Sequence, residues 1–238
     1  MPLKRALALF VIILPLCAGV SQAAEMPKTF KNEYSTRVYG FNITVQHQLS
    51  DLENGGQRLH FLAKTWFASI EEITDFTWSE EGKVEPLRYV YKRRGLGRNR
   101  DSKLVFDWES GKVTNALDSE SWDMDVSKNI QDRLSYQVQL QRDLIDGKES
   151  LSYQIADNGG LRDYAFEVVE EEVLDTPLGK VATIKVMRSR DDDDRVTYAW
   201  LAKDYDYLLV RLQQKEDGDS HTISINKAEL NGKRIERF

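Results

Sequence analysis

Hydrophobic and polar residues alternate with a period of two along most of the chain. Phe41, Ile43, Val45 and His47 alternate with Asn42, Thr44, Gln46 and Gln48, and Leu59, Phe61, Ala63, Thr65 and Phe67 repeat the pattern after a break at Asn54-Gly55-Gly56. A period of two sends successive side chains to opposite faces of an extended strand, so two such runs around a glycine-rich break predict a β-hairpin. Further strands are predicted over residues 70–78, 84–93, 103–108 and 112–115, with turns at Glu81-Gly82 and Ser110-Gly111. Pro86 lies near the start of its run, where a strand tolerates a missing N–H donor. The rhythm returns over residues 151–155, 162–174, 180–188, 195–202, 207–215 and 221–230. Thr176-Pro177-Leu178-Gly179 predicts a turn, because proline presets φ and glycine accepts φ > 0.

One segment changes period. Ile130, Leu134, Val138, Gln141 and Ile145 recur every three or four residues, behind Ser127 as an N-cap and ahead of Gly147 as a stop. This spacing predicts one amphipathic helix over Lys128–Asp146. Many short strands joined by hairpin-sized turns make antiparallel neighbours, and a sheet of that size must curl or split. The pattern therefore predicts a mainly β (β-rich α+β) fold: a strongly curved antiparallel sheet or open barrel, with one amphipathic helix packed on it or plugging one end.

The N-terminus has a different character. Lys4 and Arg5 precede an apolar run from Ala6 to Leu16, and Ser21-Gln22-Ala23 follows with small residues at the −3 and −1 positions. That tripartite order predicts a cleavable export signal over residues 1–23 and a single β-rich domain over 24–238. The run is shorter than the roughly 20 apolar residues of a membrane-spanning helix. The single cysteine, Cys17, follows Leu16 rather than the small residue of a lipoprotein signal, so it reads as part of the discarded leader. The expected location is a periplasm. Loss of Lys4 and Arg5 takes the formal charge from −6 to −8, which disfavours nucleic acid as a partner.

Candidate chemistry is sparse. Lys92, Arg93, Arg94, Arg98 and Arg100 place five cations within nine residues, interleaved with Gly95 and Gly97. Arginine forks suit phosphate or carboxylate, so this loop is a candidate anion site; the alternative is a solvated tip that guards a sheet edge. Asp191–Asp194 lacks the alternating spacing and central glycine of a calcium loop and reads as a charged hairpin tip. His47, His60 and His221 form no ligand motif, and no nucleophile elbow, dinucleotide fingerprint or P-loop is present. Pairs such as Glu71-Glu72 and Asp123/Asp125 arise freely in so acidic a chain. Trp66, Trp78, Tyr89 and Trp108 fall on successive predicted strands; on the concave face of a curved sheet they would line an apolar trough.

Four blocks carry a resemblance to a bacterial exported family known as domain of unknown function 3108. They are Glu85-Pro86-Leu87-Arg88-Tyr89 with the later Val105-Phe106-Asp107-Trp108, Gln131–Tyr136, Asp175–Lys180, and Ala199–Leu212. In the family the last block usually carries a proline after Trp-Leu-Ala and another before Val-Arg; here Lys203 and Leu209 stand in those places. The resemblance implies an exported, β-rich protein similar in outline to curved-sheet envelope proteins, and it implies no catalytic residue and no cofactor. The expectation is a non-enzymatic periplasmic binding or carrier protein for a lipid or other hydrophobic, anionic-headed envelope component, with Lys92, Arg93, Arg94, Arg98 and Arg100 on the head and Trp66, Trp78, Tyr89 and Trp108 along the apolar part. The alternative is an envelope protein-protein interaction or scaffolding module, docked through the acidic run Glu167–Glu172 or the basic loop.

Overall fold

The computed structural model describes residues 26–238 apart from 39, 54, 96, 117–121, 158 and 190–194. The expected leader and the Asp191–Asp194 run lie outside the described residues. The first half folds into β1 (Phe30–Val38), β2 (Phe41–Asp51), β3 (Gln57–Lys64), β4 (Ser69–Trp78), β5 (Val84–Arg94), β6 (Arg100–Asp107), β7 (Lys112–Asn115) and β8 (Trp122–Asp125). Helix α1 (Tyr136–Ile145) follows, then β9 (Leu151–Asp157), β10 (Gly160–Thr176), β11 (Gly179–Ser189), β12 (Val196–Ala202), β13 (Leu208–Glu216), β14 (Asp219–Leu230) and β15 (Lys233–Ile235).

All fifteen strands belong to one antiparallel sheet in the order β8-β7-β6-β5-β4-β3-β2-β1-β14-β13-β12-β11-β10-β9, with β15 paired to β14. The chain meets itself in the middle of this sheet, where Phe30 of β1 lies opposite Leu230 of β14. Each half then spreads outward, by hairpins where strands adjoin in sequence. Bulges at Glu33/Tyr34, Asp75/Phe76, Val168/Glu170 and Trp200/Leu201 interrupt the ladders. An extra residue at a bulge bends its strand and sharpens the twist, which is how so wide a sheet curls. The predicted open barrel is what forms.

The edges β8 and β9 do not pair, and the seam between them is packed instead. The N–H of Gln131 donates to Gln154 O and the N–H of Ala156 donates to Gln131 O, each at 2.8 Å, so the chain ahead of the helix caps the edge of β9. At Gly159, with φ +78°, a Cβ would lie 3.4 Å from the Trp122 ring of β8, which brings the two edges together at one end.

The helix departs from its prediction. It begins at Tyr136 rather than Lys128, because Asp132, not Ser127, organises its start. Asp132 Oδ1 accepts the N–H groups of Leu134 and Ser135 at 2.8 Å, and Ser135 Oγ accepts the N–H of Asp132 at 2.9 Å. This reciprocal pairing is the logic of a capping box. The helix is also not amphipathic in the expected sense, since every residue from Val138 to Leu144 is buried. Its polar side chains are tolerated because they are paired. Gln139 Oε1 accepts the Val84 N–H at 2.8 Å and its Nε2 donates to Asp143 Oδ1 at 2.9 Å. The Tyr153 hydroxyl donates to Asp143 Oδ2 at 3.0 Å. The helix is therefore the plug of the open barrel. Val138 joins one apolar cluster with Phe30, Tyr34, Leu59 and Phe76, while Leu140 and Leu144 join a second with Leu151, Val186 and Leu201.

Candidate functional site

The plug does not fill the barrel. Between α1 and the sheet lies a cavity of about 220 Å³. For scale, an engineered cavity of about 150 Å³ lined by Leu, Ile and Phe binds benzene. Its floor runs without a break across β3, β2, β1, β14, β13, β12 and β11, and its roof is Tyr136, Gln137, Leu140 and Gln141 of α1 with Phe166 of β10.

Strand register grades the cavity from polar to apolar. Arg188, Thr197 and Gln214 lie opposite one another on β11, β12 and β13 and line one end. Two residues along each strand the facing row is Ala199, Leu212 and Ile223. Beyond it come Leu201 and Leu209. The period of two keeps the first two rows on the inner face, and the bulge at Trp200/Leu201, which pairs Leu201 with Leu209, brings the third row inward as well. The opposite wall carries Phe30, Tyr34, Val45, His47 and Phe61.

Three polar groups on this lining stand out. Arg188 has no acidic partner among the described residues; its guanidinium lies 4.0 Å from the centre of the Tyr164 ring, a cation–π contact. His47 is 5 % exposed, between the rings of Phe30 and Phe61 at 5.0 and 6.2 Å, and its Nε2 has no hydrogen-bond partner. Burial, and secondarily the charge of His60, lower its pKa to about 4, so the ring is neutral at pH 7. Tyr34 donates its hydroxyl to Leu209 O at 2.8 Å, and burial pushes its pKa upward, so it remains a neutral donor. Among the described residues the lining contains no aspartate, glutamate, serine or cysteine. Two buried carboxyls with raised pKa lie elsewhere. Glu72 accepts the Tyr89 hydroxyl at 2.5 Å, and Asp132, pushed up to about 6 by burial, accepts the Thr74 hydroxyl at 2.6 Å. Asp132 braces the segment ahead of the helix, and Glu72 ties β4 to β5 beside the charge of Arg133. Among the described residues no three His, Cys, Asp or Glu side chains gather as a metal site would require.

The residues singled out from sequence are placed elsewhere, and none lines this cavity. Tyr89 is buried on Glu72. Trp78 donates to Gln57 Oε1 at 2.9 Å, and Trp108 donates to Pro86 O at 2.8 Å while stacking on Phe106. These three are wall residues whose polar atoms are satisfied. Trp66 is 87 % exposed. On the basic loop, Arg94 forms a bidentate pair with Asp101 at 2.5 and 2.9 Å, Lys92 reaches Glu71 at 3.4 Å and Arg93 donates to Arg98 O at 3.1 Å. Arg98 and Arg100 are exposed on the same tip. Arg188 has no distinguishing signal in the sequence beyond its alternation with Val186. Its position on the inner face is a consequence of register.

The family model for "Protein of unknown function (DUF3108)" matches residues 35–225. The chain belongs to this family. The match takes in β2, β3 and β11 to β13 of the cavity floor and parts of β1 and β14, and leaves out Phe30 and Tyr34. No curated protein matches the chain. Among solved structures, the chain is similar to a beta-barrel-like protein of domain of unknown function DUF1849 from Brucella abortus, with a TM-score of 0.56 and 8 % identity over 87 % of this chain and 99 % of that one. That likeness shows the fold alone. A second, described as a "putative lipoprotein" from Parabacteroides distasonis, gives a TM-score of 0.30 and 13 % identity over 87 % and 94 % of the two chains.

Proposed function

We propose that this member of the DUF3108 family is a non-catalytic binding or carrier protein for a small amphiphile. The apolar body of the ligand lies along Leu201, Leu209, Leu212 and Phe61, and its anionic head meets Arg188. The observation that carries this reading is the graded cavity with an arginine at its polar end that no acid among the described residues neutralises. A cavity of about 220 Å³ suits one short alkyl chain or one ring rather than a multi-chain lipid. A lining without carboxylate, serine or cysteine among the described residues supports binding rather than turnover. The tripartite N-terminus supports a site of action outside the cytoplasm, with envelope amphiphiles as the pool of ligands.

The test is native mass spectrometry and calorimetry with octanoate and octanol. Octanoate is expected to bind one per chain and more tightly than the alcohol. Arg188→Gln should cost octanoate about tenfold or more, the range of a lost charged hydrogen bond, and leave octanol unchanged. Ala199→Leu should abolish both. Undiminished binding to the Ala199→Leu protein would overturn the reading.

A second reading, a docking module, is favoured by one observation. Beyond Phe166, β10 pairs only with β11 among the described residues, and this free edge exposes Val168, Val169 and Val173 beside Glu167, Glu170 and Glu171. An unpaired edge accepts a further strand. Titration with the partner that co-purifies, followed by hydrogen exchange at residues 167–173, tests it: protection there supports the reading and unchanged exchange removes it.

A further inference from the structure

In an antiparallel sheet the connections alternate between two ends, so the β1–β2, β3–β4 and β5–β6 turns share one end of the barrel. There they are locked together. The Phe41 ring, at the first turn, meets Phe67 of the second edge-on at 5.1 Å, and Trp66 meets Phe67 at 5.0 Å. Gly95 of the third turn lies against the second so closely that a Cβ would stand 2.0 Å from Phe67 O. The three rings nonetheless face solvent, with Phe41 44 %, Trp66 87 % and Phe67 40 % exposed. Aromatic rings on projecting turns suit the headgroup layer of a bilayer, where tryptophan concentrates.

The charge around them points the same way. Residues 37–41, 64–71 and 92–101 carry seven cations against two carboxylates, Glu71 and Asp101, in a chain whose formal charge is −6. The two carboxylates are engaged by Lys92 and Arg94. Arg37, Lys64, Arg93 and Arg98 keep no acidic partner among the described residues. The flanking connections of the same end carry, by sequence, Asp118 and Glu120 between β7 and β8 on one side, and Asp191–Asp194, Asp217 and Asp219 at the β11–β12 and β13–β14 connections on the other. The aromatic rings and these seven cations thus sit together on three neighbouring turns of this end.

We propose that these basic, aromatic turns dock this protein onto an anionic phospholipid surface. Trp66, Phe67 and Phe41 enter the headgroup layer, and the surrounding cations bind its phosphates. The docking stands on its own observations, whether or not the cavity holds an amphiphile. Where both hold, the polar end of the cavity, at Arg188 and Gln214, lies toward the same end of the barrel as the docking turns.

The test is sedimentation of the protein, as recovered from the cells that make it, with vesicles of phosphatidylglycerol and phosphatidylethanolamine and separately with phosphatidylcholine vesicles. Two variants carry the same N-terminus as the parent, Trp66→Ala/Phe67→Ala and Lys64→Gln/Arg98→Gln. Their melting by circular dichroism should match the parent. The expected result is binding to the anionic vesicles only, weakened at least tenfold in the aromatic variant. The charge variant should weaken it roughly 25-fold, from about 1 kcal/mol per cation at an anionic surface. Equal binding to zwitterionic vesicles, or sedimentation unchanged in either folded variant, overturns the proposal. Octanoate uptake measured without vesicles should be unchanged in both variants, which keeps this outcome separate from that of the cavity.

Discussion

His47 and Asp132 make opposite demands on pH, and separating them is the sharpest check on the buried electrostatics. His47 falls from 6.5 to about 4 in the fold, so the unfolded chain binds the extra proton between those values. Its contribution to stability is intact above pH 6.5 and is lost as pH falls toward 4. Asp132 rises from 3.8 to about 6, so here the folded chain holds the extra proton. Stability from this group is fullest below pH 3.8 and declines as pH rises through 6. One proton bound in one state and not the other is worth about 1.4 kcal/mol for each pH unit over which that difference lasts, so each effect amounts to about 3 kcal/mol. The two nearly cancel between pH 4 and 6.5. His47→Leu removes the first and should leave a protein that loses about 3 kcal/mol as pH rises from 4 to 6.5. Asp132→Asn keeps an oxygen for the Leu134 and Ser135 N–H groups, and its stability should change in the opposite sense. Urea denaturation followed by tryptophan fluorescence at half-unit pH steps measures both, with m-values confirming a common reference. Parallel curves for parent and His47→Leu would refute the reasoning, because they would mean that His47 is hydrated in the fold.

Other outcomes follow from single contacts. Gly95→Ala should destabilise by about 2 kcal/mol or more, measured by thermal melting, because its φ of +74° and the carbonyl of Phe67 both oppose a side chain. Thr74→Val leaves a buried carboxylate short of one donor and should cost about 1–3 kcal/mol at pH 7 in urea. That loss should shrink below pH 5 as Asp132 protonates. Gln139→Leu strands the buried Val84 N–H, while Asp143 Oδ1 keeps Lys148 and Lys83, and should cost about 1–3 kcal/mol and loosen the helix by hydrogen exchange.

The sheet is legible in the sequence because the period of two survives nearly everywhere, and the predicted strands fall within a few residues of β2 to β7 and β9 to β14. β1 is hidden because Asn32, an inward residue, interrupts its apolar face; it is buried with its amide donating to the Tyr34 hydroxyl at 3.4 Å. The predicted helix is too long because Ile130 and Leu134 continue its spacing, yet they bury against the core from a loop and a turn that Asp132 holds. The cavity is not legible. Its inner wall depends on which strands adjoin across the β1–β14 junction, a pairing of residues some 200 positions apart, and local alternation carries no trace of it. Aromatic residues are natural lining candidates, but large rings are also what fills a wall. Trp78, Tyr89 and Trp108 do that, while smaller residues such as Ala199 leave the space open.

Crystals of the protein equilibrated with octanoate test the carrier function most directly. The expected result is continuous density for one alkyl chain between Leu209, Leu212 and Phe61, ending in a carboxylate at Arg188. Saturating ligand with the space between helix and sheet holding only ordered water, or closed by a shifted α1, would contradict it.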